Sequence, residues 1–78
     1  MPYQTLNRGF VANLGAGQVQ NLTLNGVAAA YSVTIGAGPA NVGVAQPGVP
    51  LHFAINRLPV SVANTTPPPG APNLTISW

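Results

Sequence analysis

The sequence predicts an all-β fold, a small antiparallel sandwich or barrel of about six or seven short strands. Three observations carry this. Runs rich in Val, Leu, Ile, Thr and aromatic residues alternate apolar and polar side chains with the period of two that a strand requires. Breaks containing Gly or Pro separate these runs at spacings of about 8–12 residues, the rhythm of small β domains. No stretch holds the apolar period of an amphipathic helix. Val27 to Ala30 is rich in alanine, but it lies between a turn signal and a strand pattern.

The strongest local signal is Gln18 to Ile35, with Asn25-Gly26 between two strand-like runs. Asn-Gly is favoured in a two-residue type I′ turn because both central positions need φ > 0. The expectation is a central hairpin pairing Leu24 with Val27, Leu22 with Ala29 and Gln20 with Tyr31. Val33 and Ile35 share that apolar face, while Asn21, Thr23, Ser32 and Thr34 point the other way. Turn chemistry and alternation choose the same register.

The remaining elements follow in order. Tyr3 to Leu6 and Phe10 to Leu14 read as short strands separated by Asn7-Arg8-Gly9. Gly15-Ala16-Gly17 and Gly36-Ala37-Gly38 are turns. A nucleotide-binding loop needs a third glycine and a following helix, and neither copy has them. Asn41 to Ala45 alternates through Val42 and Val44. Gln46-Pro47-Gly48 suits a type II turn, with Pro47 at its second position and Gly48 at its third. In Leu51 to Arg57, Leu51, Phe53 and Ile55 face the core while His52, Ala54 and Asn56 face away. Pro50 and Pro59 flank that run, which places it at an edge or leaves its ends exposed. Val60 and Val62 alternate with Ser61 and Ala63.

Domain organisation is one unit with an appended strand. Residues 1–66 form the β core, 67–72 a Pro-rich, polyproline-like connector, and 73–78 a terminal strand with Leu74, Ile76 and Trp78 on one face. That strand completes its own domain or adds to a neighbour's edge, and closure of its own sheet is the expected arrangement.

The composition excludes more than it assigns. The 78 residues contain no Cys, Asp or Glu, one His and two Arg, for a net charge of +2. Disulfides, thiolate chemistry and carboxylate-pair glycoside hydrolysis are excluded, and nearly every metal-ligand set is removed. A nucleophile–base–orienter set lacks its orienter, so His52 reads as a surface or interface histidine. The expectation is therefore no enzyme activity, no cofactor and no metal. Two arginines far apart do not make the basic patch that nucleic acid requires. No apolar run reaches the length of a membrane helix. The apolar share of 46% with so little charge is the opposite of a disordered composition. The first residues lack the apolar stretch of a secretory signal, so the expectation is a complete chain made in a cytoplasm.

A chain this short buries only about 60% of its unfolded surface, so partners or oligomerisation are its expected stabilisers. Arg8 and Arg57 are either solvated turn residues or contacts to carboxylates on a partner, since the chain supplies no acidic side chain. Trp78 either plugs its own barrel or anchors in a partner pocket. Asn21, Asn64 and Asn73 each begin an Asn-x-Thr triplet, and without a secretory signal these read as strand-face and loop residues rather than glycan acceptors.

In size, cysteine-free composition and Pro-spaced all-β pattern, the chain resembles, at the level of class, the small decoration or cement proteins of phage heads. The resemblance implies a non-enzymatic oligomer, often a trimer, that binds a capsid lattice and braces it, and hence a virion location. Its partner would be a shell surface bearing acidic groups, with Arg8, Arg57, Trp78, Pro67, Pro68 and Pro69 as candidate contacts. Two other classes compete. A fibre or pilus-type protein would exploit low charge and unprotected strand edges. A small carbohydrate- or peptide-binding module would use exposed rings.

Overall fold

The computed structural model describes residues 2–78, and among them every regular element is a strand. They are β1 (Tyr3–Leu6), β2 (Val11–Leu14), β3 (Asn21–Gly26), β4 (Ala29–Ile35), β5 (Ala40–Ala45), β6 (Leu51–Ala54), β7 (Val60–Asn64) and β8 (Leu74–Ser77). The eight strands exceed the expected six or seven because every short alternating run found a partner. They form two four-stranded antiparallel sheets, ordered β1-β8-β3-β6 and β2-β7-β4-β5. The fold is all-β as expected, and of the two expected forms, sandwich or barrel, it is the sandwich.

Alternation selects the inner faces. Leu22 and Leu24 of β3, Ala29 and Val33 of β4, Val60 and Val62 of β7, and Leu74 and Ile76 of β8 are buried between the sheets. Tyr31, Ile35, Leu51, Phe53 and Trp78 pack around them half-buried. Tyr31 and Phe53 meet edge to face with ring centroids 6.2 Å apart, bridging the two sheets. Each fully buried Leu or Ile contributes about 1.5–3 kcal/mol of transfer free energy.

The order of the strands has a simple origin. Pairs β4·β5, β3·β6, β2·β7 and β1·β8 are the rungs of one long antiparallel ribbon folded back at residues 36–39. The ribbon then rolls up, so that β3 also pairs with β8 and β4 with β7. Only β4 and β5 are joined within one sheet, and every other connection crosses from sheet to sheet. This is the connectivity of a jelly roll. The ribbon stays bonded at its corners: Gly17 N donates to Arg57 O at 2.8 Å and Arg57 N to Val19 O at 2.8 Å. Buried Val19 and Ile55 close the space between the sheets there.

This connectivity overturns the expected Asn25-Gly26 hairpin. β3 and β4 lie in different sheets, and Asn25 and Gly26 continue β3 opposite Thr75 and Leu74 of β8. The chain turns at Val27 and Ala28 instead, with Ala28 at φ 57°. Alternation could not have separated the two arrangements, because a hairpin and a sheet-to-sheet crossing put the same side chains inward. The apolar faces of β7 and β8 decided it by taking the positions beside β4 and β3. Gly26 serves packing rather than turning: a Cβ there would lie 3.0 Å from Ala45 Cβ and 3.2 Å from Leu74 Cδ1. The type I′ geometry occurs elsewhere, at Asn56 (φ 55°) and Arg57 (φ 63°), closed by Leu58 N donating to Ile55 O at 3.1 Å.

The ribbon register carries one irregularity. Partner numbers sum to 74 for Val11 with Ala63 and for Ala29 with Ala45, and to 75 for Asn21 with Ala54. For Tyr3 with Ser77 the sum is 80. The arm between β7 and β8 thus carries about six residues that the opposite arm does not match, the length of the 67–72 segment.

Candidate functional site

Because the strands run antiparallel, the connections gather at two ends of the sandwich. The β1–β2, β3–β4, β5–β6 and β7–β8 connections lie at one, here the arm end. The β2–β3, β4–β5 and β6–β7 connections lie at the other, the turn end, with Pro2 and Trp78. This division separates the six candidate contacts. Arg8 and Pro67, Pro68 and Pro69 come together at the arm end, whereas Arg57 and Trp78 lie at the turn end.

The arm end is built on one residue that sequence reasoning missed. Asn64, the last residue of β7, is 1% exposed and is the buried polar side chain of the core. Its amide uses its full bonding capacity. Nδ2 donates to Leu6 O at 2.9 Å and to Pro72 O at 3.0 Å. Oδ1 accepts from Thr66 N at 3.2 Å and from Thr66 Oγ1 at 2.6 Å. Thr66 Oγ1 in turn accepts from Ala30 N at 3.0 Å, and Thr65 N donates to Ala30 O at 2.9 Å. One side chain therefore ties the end of β1 to both feet of the Pro-rich segment. The signal was present in the sequence: the inward phase of Val60 and Val62 continues to position 64, where a polar group must be satisfied internally. The triplet that has the form of a glycan acceptor is an Asx turn whose amide hydrogens are both engaged.

Between these feet, Pro67 to Ala71 are exposed. The rings of Pro67, Pro68 and Pro69 fix φ at those three positions, which narrows the shapes open to the first part of the loop. Arg8, exposed in the β1–β2 turn, donates from Nη1 to Gly70 O at 3.4 Å, a long bond that leaves the guanidinium free for another acceptor. Beside the loop a groove of about 420 Å³ is lined by Asn25, Val27, Pro47, Gly48, Asn73 and Thr75, with no charged group.

The turn end is plainer. Gly17 and Gly36 take φ of 87° and 59°, conformations a side chain would resist. Arg57 is exposed and held in the left-handed region by the backbone bonds of its corner. Trp78 is half-buried against the core, and its N donates to Pro2 O at 3.0 Å. A groove of about 340 Å³ bordered by Asn13, Gly15, Thr34, Pro59 and Ser61 is likewise uncharged.

His52 lies exposed on β6, its Nδ1 3.2 Å from Thr23 Oγ1 on β3. No group of three or more His, Cys, Asp or Glu able to hold a metal occurs among the described residues. No helix among them is long and apolar enough to cross a membrane. The groups exposed at the two ends are neutral hydrogen-bonding faces, proline rings and two guanidinium groups. Comparison with known proteins finds no matching family model, no matching curated protein and no matching solved structure.

Proposed function

We propose that this chain is a non-enzymatic structural protein of a virion, a decoration or cement protein that binds the capsid lattice and stabilises it as a homo-oligomer. The observation that carries the reading is the arm end. An otherwise matched ribbon holds about six extra residues there, exposed, stiffened by proline and fastened at both feet by Asn64. A pre-shaped loop loses little conformational freedom when it docks, which favours permanent attachment. Arg8 beside it selects a surface bearing Asp or Glu, because a bidentate guanidinium–carboxylate pair is the strong form of that contact. The jelly-roll connectivity adds support, since capsid proteins use it, though lectin domains and cupins do too and fold alone does not assign function.

The test is recovery of virus particles from cells that make the chain, followed by mass spectrometry and electron microscopy. The reading expects the chain on the shell surface in a fixed ratio to the shell protein, resisting washes at moderate salt. A chain found only in the unassembled fraction contradicts it. The jelly roll's use in lectins favours one second reading, a carbohydrate-binding module. Specific hits on a glycan array, without particle association, would select that reading.

A further inference from the structure

We propose that β5 is a self-association edge, pairing antiparallel with β5 of a second copy about a two-fold axis at Gly43. Four strands form sheet edges: β1 and β6 in one sheet, β2 and β5 in the other. β1, β2 and β6 span four residues each, whereas β5 spans six. Sheets ordinarily blunt their edges with short strands, charges, proline or bulges. The other edges are short, and β6 is also closed off by Pro50 before it and the Asn56-Arg57 turn after it. Ala40 to Ala45 contains no charge and no proline, and it pairs with β4 without a bulge.

The occupant follows from the strand itself. Val42-Gly43-Val44 reads the same in both directions, so an antiparallel match centred on Gly43 places Val42 of each copy opposite Val44 of the other. Both valines point outward, 73% and 50% exposed, and the match covers all four against one another. Inside, Tyr31 fills the space above Gly43, where a Cβ would lie 2.6 Å from its Oη. The edge is thus kept flat and bounded without a larger side chain. Charge points the same way. Arg8 and Arg57 lie in connections outside β5, so two copies carrying +2 each meet here without opposing cations. An acidic partner would find no counter-charge on this strand. Pro39 and Pro47 limit the shared ladder, and an isologous contact closes on itself. The expected assembly is a dimer, in place of the trimer implied by the class resemblance and of an open fibre.

Size exclusion with light scattering at micromolar concentration tests this. The wild type is expected at twice the 7.9 kDa chain mass. Val42→Lys and Val44→Lys should each return the mass to one chain, and Val27→Lys, which adds the same charge at the arm end, should leave the dimer intact. Hydrogen exchange of the unsubstituted protein gives a second readout: β5 amides should slow as concentration rises. A wild type of one or three chains, a Val44→Lys variant that keeps the wild-type mass, or concentration-independent β5 exchange each overturns the proposal. A β5-paired dimer that binds no shell overturns the decoration reading alone, and a shell-binding monomer overturns only this one.

Discussion

The two ends of the sandwich close the same rolled ribbon by different means. At the turn end, short backbone turns do the work: glycines at φ near 60–90°, the Asn56-Arg57 pair and main-chain bonds between opposing arms. At the arm end the chain is longer than the closure needs, and a buried side chain, Asn64, holds the surplus in place. A connection that only has to turn spends few residues. One that is lengthened, stiffened by proline and fastened internally holds a fixed exposed shape, and the docking role proposed for it rests on that contrast.

Substitutions at the two ends should separate these roles. Asn64→Ala has the largest expected effect. It removes four hydrogen bonds and leaves the carbonyls of Leu6 and Pro72 without their donor, a loss of about 3 kcal/mol at typical costs of buried unsatisfied groups. The denaturant midpoint should fall accordingly, and an unchanged midpoint would show that the arm end is not fastened through this residue. Gly26→Ala comes next. The new Cβ meets Ala45, Leu74 and Ala29 at 3.0–3.3 Å, and overpacking there should cost about 1–3 kcal/mol by the same measurement.

At the turn end the expected sign reverses. Arg57→Gly releases a left-handed strain and should stabilise the fold by about 0.5–1 kcal/mol, seen as a higher melting temperature. A lower melting temperature would show that the arginine side chain supports its corner. Gln20→Ala is the smallest. Its exposed Nε2 bond to Asn56 Oδ1 is 3.4 Å long, and its loss should move stability by less than about 0.5 kcal/mol.

The contrast between the ends also explains what could be read from the residues alone. Inward and outward sets were legible throughout, because a period of two survives any arrangement of the strands. The turn-end glycines were legible, and so was Gln46-Pro47-Gly48, where Gly48 takes φ 75° and Val49 N donates to Gln46 O at 3.2 Å. Which strand neighbours which was not legible. Asn25-Gly26 satisfies a local turn rule, yet the choice lay with Leu74 and Ile76, about fifty residues further along. Of the candidate contacts, Arg8 and the prolines are some sixty residues apart in the chain and the roll brings them together. Arg57 and Trp78 lie at the other end. The inward phase of β7 marks Asn64 as a buried polar group, but two of its bonds go to Leu6 and Pro72, which no pattern local to β7 contains.

The most direct test removes residues 67–72 and measures particle binding. The deletion takes away the six-residue offset and brings β1 and β8 to the register of the rest of the ribbon. The fold should therefore survive, with an unchanged far-UV spectrum and cooperative melting. This shortened chain should no longer co-sediment with shells that retain the intact one. A folded deletion variant that binds those shells as tightly as its parent would contradict the docking role proposed for the loop.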